Sequence, residues 1–146
     1  MTTTEHPTEA DWPVIERLLT ESGLPLEGLE IAHPTAVVAR TEAPGRSIVG
    51  CAAVERYGSF GLLRSVCVAP DHRGTGLGRE LVAATERLAA EQGISDLYLL
   101  TETAVDWSPR LGYQPTTRAA VPAAVAASPE FTTACPQSAA VLYKRL

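Results

Sequence analysis

The densest chemistry in the sequence lies in Leu63-Arg-Ser-Val-Cys-Val-Ala-Pro-Asp-His-Arg-Gly-Thr-Gly-Leu-Gly-Arg79, where an apolar run passes into three alternating glycines flanked by two arginines. An amphipathic stretch begins at once, so the loop opens into a helix. The first-turn N–H groups of a helix have no intrahelical partners and sit at the positive end of its dipole, which makes that end an anion site. Gly74, Gly76 and Gly78 let the backbone approach phosphate oxygens with no side chain between. Thr75 and Leu77 complete the loop, and Arg73 and Arg79 can add charge-assisted contacts. The pattern predicts a phosphorylated ligand. It is not the dinucleotide fingerprint, which needs Gly-x-Gly-x-x-Gly in a first βαβ unit, nor a nucleotide P-loop, because Arg79-Glu80 stands where Lys-Ser/Thr is required.

Other reactive types are sparse. Cys51, Cys67 and Cys135 are an odd, widely spaced set that fits no disulfide framework and suits a reducing compartment. With His6, His33 and His72 the only histidines, no Cys-x-x-Cys or His-x-x-x-His pair occurs, so no metal is expected. Twelve basic against seventeen acidic residues leave a net charge of −5, and no basic stripe exists for nucleic acid. An anionic ligand must therefore be captured locally, against the global field. No run approaches the ~20 apolar residues of a membrane span, and the first residues lack the features of a signal peptide. A cytoplasmic protein with one domain over residues 1–146 is expected, and a homodimer is compatible with the sequence.

These residues must be carried by elements that the periodicity delimits. A helix is predicted over about Glu9–Glu21, with Thr8 and Asp11 as a capping-box-like pair and Gly23 then Pro25 as the stop. Leu26–Ile31 reads as one further helical turn, and Thr2–His6 as a poor strand. Thr35–Thr41, Ser47–Arg56 and Phe60–Ala69 read as three strands whose short connections force antiparallel pairing. A long helix follows over about Gly76–Glu91, its stripe made by Leu77, Leu81, Ala84 and Leu88. Asp96–Leu100 reads as a buried strand and Val105–Leu111 as a short helix. Tyr113–Thr117 and Ala139–Lys144 are the last strands, separated by a helical piece near Val121–Ala127. The fold class is α+β, or mixed α/β.

Arg73-x-x-Gly76-x-Gly78 after Val66-Cys-Val-Ala-Pro70 resembles the acetyl-CoA motif of the GNAT acyltransferase superfamily, and the likeness extends over most of the chain to Arg110-Leu-Gly-Tyr113. The resemblance implies a mostly antiparallel twisted sheet of six or seven strands, flanked by about four helices. Its fourth and fifth strands, Phe60–Ala69 and Asp96–Leu100 here, would splay into a V-shaped cleft. It implies that Val66 and Val68 bind the pantetheine arm of acetyl-CoA through their backbone groups. Arg73, Gly74, Gly76, Gly78 and Arg79 would hold the pyrophosphate, and an N–H near Cys67 or Val68 would receive the developing oxyanion. More narrowly, Leu62-Leu-Arg-Ser-Val66, Leu97-Tyr-Leu-Leu-Thr101 and Phe131…Cys135-Pro-x-Ser138 are similar to acetyltransferases associated with arsenic resistance. The implied activity is acetyl transfer from acetyl-CoA to a small-molecule amine by direct attack in a ternary complex. The alternative is a CoA-binding sensor or partner-binding module without catalysis.

Such a transfer needs a base for the ammonium and an acid for the leaving thiolate. Glu102, just past the fifth strand, is the first candidate for the base and Glu55 the second; a water chain could also serve. Many members of the superfamily carry a tyrosine four residues before the position of Gly112, and Ser108 stands there in this chain. Ser108 would relay a proton through water, or the thiolate would leave unassisted, or Tyr98 would substitute. Arg64 shares side-chain parity with Leu62 and Val66 on an apolar face, so it needs a buried partner: a substrate carboxylate, or a structural acid. Ser65 faces the other way unless a bulge resets the parity. Arg64 and Ser65 are the candidate substrate contacts.

Overall fold

Alternating apolar residues in the N-terminal half build a sheet buried on both faces. In a computed structural model of the chain, residues 2–29, 33–42, 44–101, 108–134 and 139–146 are described. Strands β1 (Thr2–Glu5), β2 (Thr35–Thr41), β3 (Ile48–Tyr57), β4 (Phe60–Val68), β5 (Asp96–Thr101), β6 (Gln114–Thr116) and β7 (Ala140–Arg145) form one sheet. Its order is β1-β2-β3-β4-β5-β7-β6. Every pairing is antiparallel except β4 with β5, which are joined by the crossover that contains α2 (Leu77–Glu91).

Period-2 alternation divides the core. Ala36, Val38, Cys51, Ala53 and Cys67 pack against α1 (Trp12–Glu21) through its Trp12, Ile15, Leu18 and Leu19. Val37, Ala39, Val49 and Ala52 point to the opposite face, where α2 covers them with Leu77, Leu81 and Ala84. Farther along, Leu62, Tyr98 and Leu100 meet Val125 of α3 (Ala123–Ala126) and Phe131 of a π turn, Glu130–Ala134. That cluster lies on the α1 side, because Leu62 pairs with Glu55, which is in phase with Cys51 and Ala53. Each fully buried aliphatic side chain contributes about 1.5–3 kcal/mol.

Several boundaries differ from the sequence expectation. Thr2–Glu5 is a true strand despite its polarity, because it lies at the sheet edge and pairs only with β2. Glu9–Asp11 forms a 3-10 turn with the Thr8–Asp11 capping box, and the α-helix proper begins at Trp12. The helical piece near Val121–Ala127 contracts to α3, since Pro122 stands at its cap. The π turn after it carries no recognisable periodicity. In the described part of Val105–Leu111, the helix is a 3-10 turn over Ser108–Leu111. No helix among the described residues is long and apolar enough to cross a membrane.

Candidate functional site

The glycine loop is anchored below and open above. Gly76 caps α2 in the left-handed region at φ +85°, and the N–H of Glu80 returns to its carbonyl at 3.1 Å. Gly74 is left-handed too, at φ +78°, and a Cβ on either residue would meet no atom within 4 Å. Leu77 is buried beneath the loop, while Arg73, Thr75 and Arg79 are exposed. The Thr75 hydroxyl donates to the His72 carbonyl at 2.6 Å, and Arg73 Nε donates to the Val68 carbonyl at 3.0 Å, tying the loop to the end of β4. Gly78 has no left-handed φ, and its Cβ would sit 3.7 Å from Val68 Cγ2, an ordinary contact. The fold alone does not require glycine there.

The strands beside this loop part company. β4 and β5 pair only at Phe60–Asp96, Gly61–Leu97 and Leu62–Tyr98, yet β4 continues to Val68 and β5 to Thr101. Within that free length, Ser65 adopts φ +59°. The β3–β4 register steps from Ala53–Arg64 to Cys51–Cys67, so two residues of β4 bulge opposite Ala52. A left-handed φ costs a residue with a Cβ roughly 1–2 kcal/mol. Here it is held from both ends of Ser65: Arg64 Nε donates to the hydroxyl at 3.1 Å, and the Cys51 thiol donates to the carbonyl at 3.2 Å. The bulge corrects the expected parity. Arg64 shares its face with Leu62 and Cys67, and Val66 turns to the α2 side, where it packs with Val68.

Backbone directions follow from the same register. The Ala69 N–H donates to Val49 O at 2.8 Å, so Val49–Ala69 is a hydrogen-bonded pair and, two residues back, so is Cys51–Cys67. The Cys67 N–H is thereby committed to β3, which removes it as an oxyanion donor. Val66 and Val68 direct their backbone groups away from β3, on the side that β5 leaves, where the Val68 carbonyl accepts from Arg73 Nε. The Cys51 and Cys67 thiols are buried, which raises both pKa values and makes them packed rather than nucleophilic groups.

The α1 side of the gap is walled by one arginine. The Arg64 side chain is fully buried. Its Nη1 donates to Glu27 O at 2.6 Å and to Glu55 Oε2 at 3.0 Å, its Nη2 donates to Pro25 O at 3.1 Å, and its Nε lies 3.3 Å from Glu130 Oε2. Tyr57 donates to the other Glu55 oxygen at 2.8 Å; burial, then the adjacent carboxylate, raise its phenol pKa. Glu55, Tyr57, Gly28, His33 and Pro129 line a pocket of about 360 Å³.

The match to known proteins agrees with this arrangement. A family model described as an acetyltransferase (GNAT) domain matches residues 32–115. The chain belongs to the GNAT acetyltransferase family. A Bacillus subtilis protein, BSU40680, is 40% identical over 67 residues, covering 45% of this chain and 46% of that one. An amino-acid acetyltransferase of Ectopseudomonas mendocina is 35% identical over 79 residues, 53% of this chain and 18% of that enzyme. The GNAT chain thus spans less than half the length of the curated relatives it matches. In fold it is similar to the N-acetylglutamate synthase of Neisseria gonorrhoeae solved with coenzyme A and N-acetyl-glutamate (TM-score 0.83, 22% identity, 100% of this chain and 35% of that one).

Placed in this GNAT fold, the sequence candidates separate. Arg73, Gly74, Thr75, Gly76, Leu77, Gly78 and Arg79 gather at the α2 N-terminus, next to the end of β4, where Arg73 holds the Val68 carbonyl. Arg64 takes the structural alternative: internal carbonyls and carboxylates occupy its guanidinium, so it is not free for a substrate carboxylate. Glu55, the second candidate for the base, has both oxygens engaged by Tyr57 and Arg64. Tyr98 packs in the core and its pKa is raised by burial. Ser108 opens the 3-10 turn before Gly112, and Glu102 lies outside the described residues. Sequence reasoning missed the Lys144 clamp. This ammonium donates to both Glu86 oxygens, at 3.1 and 3.0 Å, and to Leu111 O at 2.8 Å, while Tyr113 donates to Glu86 Oε2 at 2.7 Å. The signal available was that Lys144 is the only lysine in the chain. Among the described residues, no three His, Cys, Asp or Glu side chains gather to hold a metal ion.

Proposed function

We propose that the protein transfers an acetyl group from acetyl-CoA to the amine of a small, amino-acid-like molecule by direct attack within a ternary complex. One observation carries the reading: β4 from Leu63 to Val68 lacks a β5 partner beside an open glycine loop at the start of α2, so that the Val66 backbone and the Val68 N–H face the gap while Arg73 holds the Val68 carbonyl. The residues suit the cosubstrate, because open space stands over Gly74 and Gly76 and the α2 dipole adds positive charge where a pyrophosphate would lie. When bound, acetyl-CoA supplies an activated acyl group whose leaving thiol resembles a free thiol, with a pKa near 8.5.

The chain's own residues do the rest. Gly74, Thr75, Gly76, Leu77, Gly78 and Arg79 hold the pyrophosphate with backbone N–H groups and charge, and Arg73 braces the loop against Val68. Val66 and Val68 align the pantetheine arm, and the Val68 N–H receives the charge that develops on the carbonyl oxygen. Glu102 follows Thr101 at the end of the diverging strand and takes the ammonium proton, directly or through water. Ser108 relays a proton toward the departing thiolate through water. Residues 1–146 act as one domain, a reading supported by the single sheet that spans the chain from Thr2 to Arg145.

Titration calorimetry with acetyl-CoA, paired with a thermal melt, tests the cosubstrate. A ligand at about 100 times its dissociation constant adds about 2.7 kcal/mol of stability. An unchanged melting curve in millimolar acetyl-CoA contradicts the proposal. Firm binding with no thiol release across an amine panel would instead support a CoA-binding module.

A further inference from the structure

We propose that Arg64 is a positioning residue that couples the loop after α1 and the π turn, whose Gly28 and neighbouring Pro129 line the pocket assigned to the acceptor, to the acetyl-carrying edge of β4, with Ser65 as the joint. The proposal rests on the acetyl-transfer reading above. The planar fork of an arginine can hold several acceptors at fixed angles. This one reaches the loop after α1 through Pro25 O and Glu27 O, β3 through Glu55, the π turn through Glu130, and the bulge through the Ser65 hydroxyl. Packing leaves it no slack. Gly28 lies so close that a Cβ there would stand 3.2 Å from Arg64 Nη1 and 3.3 Å from Glu55 Oε2.

The joint is the left-handed Ser65, at φ +59°. Its conformation inserts the extra residue that puts Cys67 rather than Val66 on Arg64's face. That phase in turn sends the Val66 and Val68 backbone into the gap. A displacement of either wall therefore reaches Ser65 through one rigid group, and Ser65 sets the direction of the Val68 N–H. On this account Arg64 governs two quantities: acceptor fit through the walls, and turnover through the bulge.

Four variants separate these roles: Ser65→Ala, Ser65→Gly, Arg64→Lys and the double variant Arg64→Lys/Ser65→Gly. Glycine adopts a left-handed φ freely and alanine does not. Ser65→Ala is expected to lower kcat about tenfold, equivalent to about 1.4 kcal/mol, with acetyl-CoA affinity unchanged, and Ser65→Gly, which loses the hydroxyl contact but not the conformation, to lower kcat by clearly less. Arg64→Lys cannot form the fork; it should lower kcat and raise the amine KM. Adding Ser65→Gly to Arg64→Lys should recover kcat and leave KM raised. Both variants lose the Arg64 contact to the hydroxyl and only glycine keeps the left-handed conformation freely, so equal loss in Ser65→Gly and Ser65→Ala would overturn the proposal by showing that this conformation is not the joint. A rise in KM confined to carboxylate-bearing amines, with kcat intact in Arg64→Lys, would also overturn it.

Amide hydrogen exchange supplies a readout that does not need activity. Arg64→Lys should speed exchange at both Leu29 and Cys67, and Ser65→Gly in that background should restore Cys67 alone. Exchange at Cys67 unaffected by Arg64→Lys refutes the coupling. If wild type neither binds acetyl-CoA nor releases thiol, the functional reading fails, and the exchange pattern still decides whether Arg64 couples these segments.

Discussion

Replacing Gly78 by alanine should strengthen the fold and weaken the cofactor. Its backbone φ is not left-handed, and the new Cβ would sit 3.7 Å from Val68 Cγ2, so the folded state accommodates it. Gly78 lies in the first turn of α2, where alanine is preferred over glycine by about 0.5–1 kcal/mol. For a domain of this size 1 kcal/mol moves Tm by about 2–4 °C, so the melt without ligand should rise by about 1–4 °C. The same methyl group obstructs the approach of a pyrophosphate to the backbone. Loss of one hydrogen bond to a charged group costs about 1.5–3 kcal/mol, which corresponds to acetyl-CoA binding about 10- to 100-fold weaker. Gly76→Ala is the contrast, because φ +85° imposes the left-handed penalty. Its Tm should fall by about 2–8 °C. Differential scanning fluorimetry without ligand and calorimetry with acetyl-CoA give both numbers for both variants. Undiminished acetyl-CoA affinity in Gly78→Ala would refute the loop's role, and a lowered Tm would refute the conformational argument.

Arg73→Ala removes the brace between the loop and Val68 O, and calorimetry should find acetyl-CoA binding about tenfold weaker, a loss of about 1.4 kcal/mol. Asp11 has its pKa lowered, first by the Thr8 N–H and then by Arg40 and the Thr8 hydroxyl. Its contribution is therefore present above the ordinary carboxylate value and lost as pH falls through the lowered one. Urea unfolding should lose stability on acidification below about pH 4, and Asp11→Asn should lower stability at pH 7 and make that acid slope shallower. Lys144→Met strands Glu86 without its cation and frees Leu111 O, so urea unfolding should register a loss of about 1–3 kcal/mol. A wild-type midpoint in this variant would show the clamp to be dispensable.

The parts of this fold that repeat locally were legible in the sequence. Alternation in Thr35–Thr41 and the Leu77, Leu81, Ala84 stripe define a sheet face and a helix face within a few residues, and the Arg73–Arg79 loop announces itself by composition. Arg64 shows where local reading stops. Its burial followed from parity, but its partners Pro25, Glu27 and Glu130 lie 39, 37 and 66 residues away and carry no pattern that points back to it. The left-handed Ser65 was hidden for a related reason. A serine there has no turn signature, and the conformation is imposed by Arg64 and Cys51 rather than by preference. The same logic hid the Lys144–Glu86–Tyr113 clamp, which forms only once β7 lies over α2. β1 was underrated because an edge strand needs only one partner and little apolar surface.

The central claim, acetyl transfer to a small amine, is tested most directly by incubating the purified protein with acetyl-CoA and single amines. The panel contains amino acids, simple amines, an arsenical analogue and one basic peptide, with thiol release followed and the product mass measured. The account predicts release that depends on the amine, saturates with a small amine and yields that amine carrying one added acetyl group. Acetyl-CoA binding with no amine-dependent release, or acetylation of the peptide alone, would contradict it.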